Sequence, residues 1–253
     1  FTFNITWNIL IFHQEYINNI MKNFYSNIFS YNRKLLDKTI LNLKKGDIVG
    51  LPTETVYGLA GSAYSEKSTN KIYKIKKRPR NNPLIVHYYN YMRAESDVLM
   101  NKNFYKLYEK LCPGPITFIL KKKRSSKINQ KVLANLNSVA VRFPKHPVVR
   151  KILKKIDFPL AMPSANISSN VSPVNAYHVA DEFKKKVKII IDGGNSKIGL
   201  ESTVIDLTGK PTILRPGFID SKIIKKILKK KIYFGNKKSK VRSPGMSKVH
   251  YSP

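Results

Sequence analysis

The chain has 253 residues, 42% hydrophobic and 11% aromatic, which suits a substantial buried core and excludes a disordered, charge-only chain. Its 47 Lys and Arg against 15 Asp and Glu give a formal net charge of +32, which invites a nucleic-acid-binding class through phosphate neutralisation. A single cysteine, Cys112, excludes an internal disulfide and a multi-Cys zinc cluster and points to a cytoplasmic setting, and no apolar run is long enough to span a bilayer.

Residues 1–20 lack a basic start and a small-residue cleavage site, and Glu15 interrupts them, so they do not read as a signal peptide. Met21 reads as the true start, with 1–30 an N-terminal extension. Leu35, Leu36, Ile40 and Leu43 are spaced as on a helix, and a Gly46-Asp47 turn leads into a buried strand at 48–51. A helix from a Ser65 cap to Ile75, a strand at 83–87 and a helix at 103–111 follow. Strands at 116–120 and 139–143 precede a helix at 147–156 and a short strand at 160–162. Next come a helix at 175–183 and strands at 187–191, 203–207 and 212–214. Asp220 or Ser221 caps an amphipathic helix carrying Ile223, Ile224, Ile227 and Leu228. This alternation argues an α/β or α+β domain over 31–228, and the basic, polar stretch from 229 reads as a linker.

Gly, Pro, Ser and Thr gather in blocks beside the predicted strands. Pro52-Thr53-Glu54-Thr55-Val56-Tyr57-Gly58-Leu59 can present hydroxyls and backbone donors to a crevice, or form a turn with satisfied hydroxyls. In Lys76-Lys77-Arg78-Pro79-Arg80-Asn81-Asn82-Pro83, the prolines hold the chain extended, so that Lys76, Arg78 and Asn82 project from a rigid segment. A Lys point charge beside an Arg fork suits a polyphosphate; a solvated basic turn is the other reading. His87, ending its strand, is either a core histidine or a ligand contact. Cys112, before Pro113-Gly114-Pro115, reads as a small buried hydrophobe. Arg142 sits in the apolar strand Val139-Ala140-Val141, where a charge is costly unless paired, turned to a ligand or snorkelling to solvent. Further blocks are Met162-Pro163-Ser164-Ala165-Asn166, Ser172-Pro173, Gly199-Leu200-Glu201-Ser202-Thr203 and Leu214-Arg215-Pro216-Gly217.

Thirty-eight of the basic residues are Lys and nine are Arg, amid abundant Asn and Ile, so most of the charge reads as compositional. Against that background Arg78, Arg142 and Arg215 all fall inside the blocks, where planar, bidentate recognition is the task Lys performs poorly. Three forks among hydroxyls, without a metal-ligand cluster, suggest an anionic nucleotide and a small carboxylate. A Walker A loop, a dinucleotide fingerprint and a supported Ser-His-Asp triad are missing, so catalysis would rest on positioning and charge stabilisation.

In this order the blocks resemble the YrdC/YciO/Sua family over about residues 33 to 220. The resemblance implies a twisted, mostly β sheet flanked by helices around a large electropositive cavity. It implies formation of L-threonylcarbamoyladenylate and pyrophosphate from L-threonine, bicarbonate and ATP, with Mg2+ accompanying the nucleotide and no dedicated protein metal site. The product would serve N6-threonylcarbamoyladenosine formation in tRNA together with a transfer machinery. Carried over, Lys76, Arg78, Asn82, Ser138, Ser164, Asn166, Ser172 and Arg215 would line the nucleotide side, with Lys76 and Arg78 catalytic. Thr53, Thr55, His87, Arg142, Met162 (by its backbone) and Ser202 would hold threonine or its carbamate. Ser243-Pro244-Gly245-Met246 and Tyr251 resemble the linker of the family's long members, Tyr251 closing over the nucleotide, with the smaller C-terminal domain of those members missing. The chain departs from the family pattern at Lys77, where Gly is usual, at Cys112, where an aromatic is common, and at Met162, where a small residue is. The competing reading is a basic RNA-binding module without synthase activity, whose aromatic signatures are absent. A carbamoyl-transfer domain of the hydrogenase-maturation type would bring zinc-finger cysteine pairs, which one cysteine excludes.

Overall fold

A computed structural model describes residues 23–235; the expectations placed on residues 1–20, on 243–246 and on Tyr251 lie outside them. Twelve strands join in one mixed sheet. They are β1 (Ile28–Ser30), β2 (Val49–Leu51), β3 (Gly58–Ser62), β4 (Ile85–His87), β5 (Val98–Leu99) and β6 (Ile116–Lys122), then β7 (Ser138–Arg142), β8 (Leu160–Ala161), β9 (Ile190–Asp192), β10 (Thr203–Asp206), β11 (Thr212–Arg215) and β12 (Tyr233–Phe234). Their spatial order is β1-β9-β2-β3-β8-β4-β7-β6-β10-β11-β12, with β5 beside β6. The helices that accompany them are α1 (Arg33–Lys44), α2 (Glu66–Ile75), α3 (Tyr91–Ala94), α4 (Lys102–Leu111), α5 (Pro147–Lys155), α6 (Ala176–Phe183) and α7 (Ser221–Leu228), with a 3-10 turn at Lys184–Lys186 after α6. No helix of the described residues is long and apolar enough to cross a membrane.

The abundant asparagine has a local use. Asn32, Asn90, Asn101 and Asn175 each sit at a helix N-cap, where the side-chain oxygen accepts a backbone N–H that the first turn cannot pair. Ser65 caps α2 and Asp220 caps α7 in the same way.

Period-two alternation sorts the strand residues between two faces. On one face Leu59, Val86, Phe118, Val141, Ala161, Ile190 and Ile205 pack with Ile72 and Tyr73 of α2, Phe104 and Leu107 of α4, Val179 of α6 and Ile224 of α7. On the other, Val49, Leu51, Ala60, Leu160 and Ile191 are covered by Leu35, Leu36 and Leu43 of α1 and by Val149 and Ile152 of α5. Further along this second face the helical cover ends. Ile85, Ile119, Ala140 and Val204 form a small apolar patch among themselves. The loops carrying the Pro/Thr/Ser blocks fold over that half of the sheet.

Strand β3 was not expected. Gly-Leu-Ala-Gly-Ser has the composition of a loop, yet all five residues are buried between β2 and β8. Small residues are required there: a Cβ at Gly58 would lie 2.4 Å from Met162 Cγ, and one at Gly61 would lie 2.9 Å from Ser68 Cβ. The strands β1, β5 and β12 and the four-residue α3 also went unpredicted, being too short to carry a periodic signal.

Candidate active site

Strand register assembles the site. Leu160 pairs with His87, His87 with Arg142, Arg142 with Thr117, Thr117 with Val204 and Val204 with Arg215. Partners across a sheet share a face, so these six residues form one row over β8, β4, β7, β6, β10 and β11, running from the helix-covered Leu160 onto the half without helices. Arg215 reaches the row through an irregularity. Val204 opposes Arg215 while its neighbour Ile205 opposes Ile213, so β11 carries one extra residue. This bulge lets Ile213 enter the helix-covered core while Arg215 turns to the open face.

Both arginines of the row are 5% exposed, and each is paired with a glutamate to which the sequence pattern assigns no role. Arg142 Nη2 donates to Glu54 Oε1 at 2.7 Å and to Thr55 Oγ1 at 2.7 Å. The Lys145 amide donates to the other oxygen of Glu54 at 2.9 Å. Burial would raise the Glu54 carboxyl, but the Arg142 charge and hydrogen bond hold it below the usual carboxylate range. Arg215 Nη1 pairs with Glu201 Oε2, while Nη2 donates to the Ser202 carbonyl at 2.8 Å and to Ser202 Oγ at 3.1 Å. The available signal was the scarcity of acids: Glu54 and Glu201 are two of only 15, and both stand inside the Gly/Pro/Ser/Thr blocks.

Hydroxyls link these pairs. Thr53 Oγ1 lies 2.9 Å from Thr55 Oγ1 and donates to the Val56 carbonyl at 2.6 Å. Thr117 Oγ1 is 2.8 Å from Ser202 Oγ, and Ser172 Oγ donates to Glu201 at 3.4 Å. Between Thr53, Gly58, His87, Arg142, Met162 and Ser202 remains a cavity of about 30 Å³. Glu201 and Arg215 line it as well. Two buried ring or guanidinium nitrogens of the row, His87 Nδ1 and Arg142 Nε, have no hydrogen-bond partner. His87 is 1% exposed, and burial with the neighbouring Arg142 pushes its pKa down to about 3, so the ring is neutral.

The basic block departs from the extended, projecting segment expected of it. Lys76 is the C-cap of α2, and Lys77 takes a left-handed φ of 50°. The Lys77 amide then bonds the Lys74 carbonyl at 3.2 Å and the Arg78 amide the Tyr73 carbonyl at 3.0 Å, closing the helix end. Lys76, 1% exposed, points inward and donates to the carbonyls of Ser164, at 2.6 Å, and Asn166. Burial first and Arg78 second lower its pKa to about 7. Arg78 wraps Asn82, donating to its carbonyl at 3.0 Å, its side-chain oxygen at 2.6 Å and the Pro83 carbonyl at 2.7 Å. Asn166 Oδ1 is buried without a partner.

Thr53, Thr55, His87, Arg142, Met162, Ser202 and Arg215 are therefore gathered in one place, with Ser172 at its edge and Lys76 reaching it through the loop at Ser164 and Asn166. Ser138 lies on the same face of β7, four residues from Arg142 and about 13 Å along the strand. Cys112 packs partly buried against the helix-covered core, with burial pushing its thiol up, as a small hydrophobe would sit. Among the described residues no three His, Cys, Asp or Glu side chains gather as metal ligands.

Residues 42–217 match the Sua5/YciO/YrdC family, described as "Telomere recombination". The chain is 39% identical over 219 residues to a threonylcarbamoyl-AMP synthase of Pyrococcus abyssi, covering 83% of this chain and 63% of that protein. It is 37% identical over 217 residues to the Bacillus subtilis enzyme of the same name, covering 83% and 62%. The crystal structure of P. abyssi Sua5 complexed with L-threonine superposes with a TM-score of 0.84 at 35% identity, covering 89% of this chain and 69% of that one. Escherichia coli YciO, at 22% identity and a TM-score of 0.70, shares the fold. The chain spans less than two thirds of the length of these curated relatives.

Proposed function

The chain belongs to the Sua5/YciO/YrdC family, and from that premise we propose that it forms L-threonylcarbamoyladenylate from L-threonine, bicarbonate and ATP. The observation that carries the reading is the sheet-crossing row in which His87 Nδ1 and Arg142 Nε are buried and unpartnered, two nitrogens suited to a small amino acid with a carboxylate. The L-threonine in the P. abyssi complex supports that choice of amino acid.

The reaction balances in two steps. The threonine amine takes up the bicarbonate carbon and releases water, giving a carbamate. A carbamate oxygen then attacks the α-phosphorus of ATP, and the bond to pyrophosphate breaks. In our assignment Thr53, Thr55, His87, Arg142, Ser202 and the Met162 backbone hold threonine and its carbamate. Arg142 forms the carboxylate contact, because its guanidinium is braced by Glu54 and Thr55 on one edge and leaves Nε unpaired. Lys76, Arg78, Asn82, Ser138, Ser164, Asn166, Ser172 and Arg215 hold the nucleotide. Lys76 and Arg78 offset the charge that builds up as pyrophosphate leaves. Mg2+ would arrive on the phosphates, since the carboxylates of the site, Glu54 and Glu201, are already paired with Arg142 and Arg215. The carbamate is labile in water, and the loops folded over the row suit its protection.

We assign this catalysis to residues 31–228, place the protein in the cytoplasm, and hand the product to a transfer machinery acting on tRNA. Pyrophosphate release from ATP, measured with threonine and bicarbonate and compared with serine, tests the activity. Release that is independent of threonine would overturn it.

A further inference from the structure

Met162 stands on the face of the sheet that carries His87 and Arg142, its amide donating to the Ile85 carbonyl at 2.9 Å. It is 3% exposed, and its side chain meets both the α1/α5 core and the small cavity beside Thr53 and His87. Its thioether lies directly over Gly58: a Cβ there would come within 2.4 Å of Met162 Cγ and 2.8 Å of Sδ. The other apolar surfaces of the cavity are fixed. Ile85 is held in β4 between β8 and β7, the Pro163 ring is rigid, and Val56 is stiff at χ1. Tyr57 is anchored by its hydroxyl, which donates to the Gly194 carbonyl at 2.8 Å and accepts from the Gly193 amide at 3.1 Å. Methionine, unbranched and with three rotatable bonds, is thus the one adjustable apolar wall of a cavity of about 30 Å³.

We propose that the Met162 side chain sets the upper size limit for the amino-acid side chain this site accepts. The inference rests on the synthase reading for the identity of the amino acid, and deepens it by assigning specificity to a side chain whose backbone alone had been given a role. The thioether turns aside far enough to admit the threonine methyl and closes against anything longer by one carbon.

Calorimetric titration of the protein with threonine and with 3-hydroxynorvaline, which extends threonine by one methylene, tests this without requiring turnover. Wild type should prefer threonine by about tenfold or more, the worth of one methylene in a close-fitting pocket. Met162→Ala should bring the two affinities within about twofold of each other, while Met162→Leu, which keeps the volume, should retain the preference. A merely structural Met162 would weaken both ligands alike and leave their ratio unchanged. Equal binding of the two by wild type, a preserved ratio in Met162→Ala, or a ratio lost in Met162→Leu would each overturn the proposal. Should Met162→Ala not fold, Met162→Val is titrated against the same two outcomes. Selective threonine binding without pyrophosphate release would sustain the size limit and overturn the synthase activity, so the two failures are distinguishable.

Discussion

Arg142 concentrates the chemistry of the row into one side chain. Its guanidinium meets Glu54 and Thr55 through one nitrogen and keeps Nε unpaired, a geometry an ammonium cannot reproduce. Arg142→Lys should raise the KM for threonine about tenfold or more, the loss of a charge-assisted hydrogen bond, and leave that for ATP within about twofold. Steady-state kinetics with each substrate varied checks this; equal effects on both would remove Arg142 from the threonine side. Lys76 gives a pH signature. Burial and Arg78 hold its pKa near 7, below the ordinary 10.5, and an arriving polyphosphate favours the charged form. ATP binding at about pH 8 should therefore take up a proton, read as a dependence of binding heat on the buffer's ionisation enthalpy. In the free protein the sign is opposite: the unfolded chain holds this proton up to about 10.5, so the Lys76 contribution to stability rises with pH between about 7 and 10.5. The arginines were legible as candidates because Lys is the chain's default cation. The pairing with Glu54 was not, since it spans 88 residues of sequence and depends on a loop folding across β7.

At the scale of elements, the end of α2 aims Lys76 and Arg78 in different directions through a single left-handed residue. Lys77 carries a side chain in a conformation that glycine adopts freely. Lys77→Gly should stabilise the fold by about 1 kcal/mol and raise the melting temperature, because relief of the left-handed strain exceeds the added chain entropy. An unchanged or lower melting temperature would contradict this. The turn after β11 works in the reverse sense. A Cβ at Gly217 would lie 2.5 Å from the Glu201 carbonyl oxygen and the Thr203 amide, so this glycine lets the Arg215 turn close on the Glu201–Ser202 backbone. Gly217→Ala should destabilise by about 1–3 kcal/mol, measured by denaturant unfolding, and weaken ATP binding through a displaced Arg215. Elements with long apolar runs, such as β6 and β7, were legible from composition. Strand β3 was not, because its glycines answer to Met162 and Ser68 across the fold and not to any local pattern.

For the whole molecule, the net charge of +32 and the site speak of different things. Lysine lies over the surface, whereas the buried cations Lys76, Arg142 and Arg215 meet acids, hydroxyls and carbonyls in a small volume. The α/β alternation and the order of the blocks were legible in the sequence. How the blocks converge was not, since it follows from strand order: β7 stands between β4 and β6, and β10 and β11 follow β6, so His87, Arg142 and Arg215 share one row. That convergence is what a synthase joining a nucleotide to an amino-acid carbamate needs and what a basic RNA-binding module does not. The most direct test incubates the protein with ATP, threonine and isotopically labelled bicarbonate and resolves the nucleotide products. Our account predicts a threonine-dependent adenylate carrying the bicarbonate label, formed together with pyrophosphate; ATP consumption with no labelled adenylate, or the same label without threonine, would contradict it.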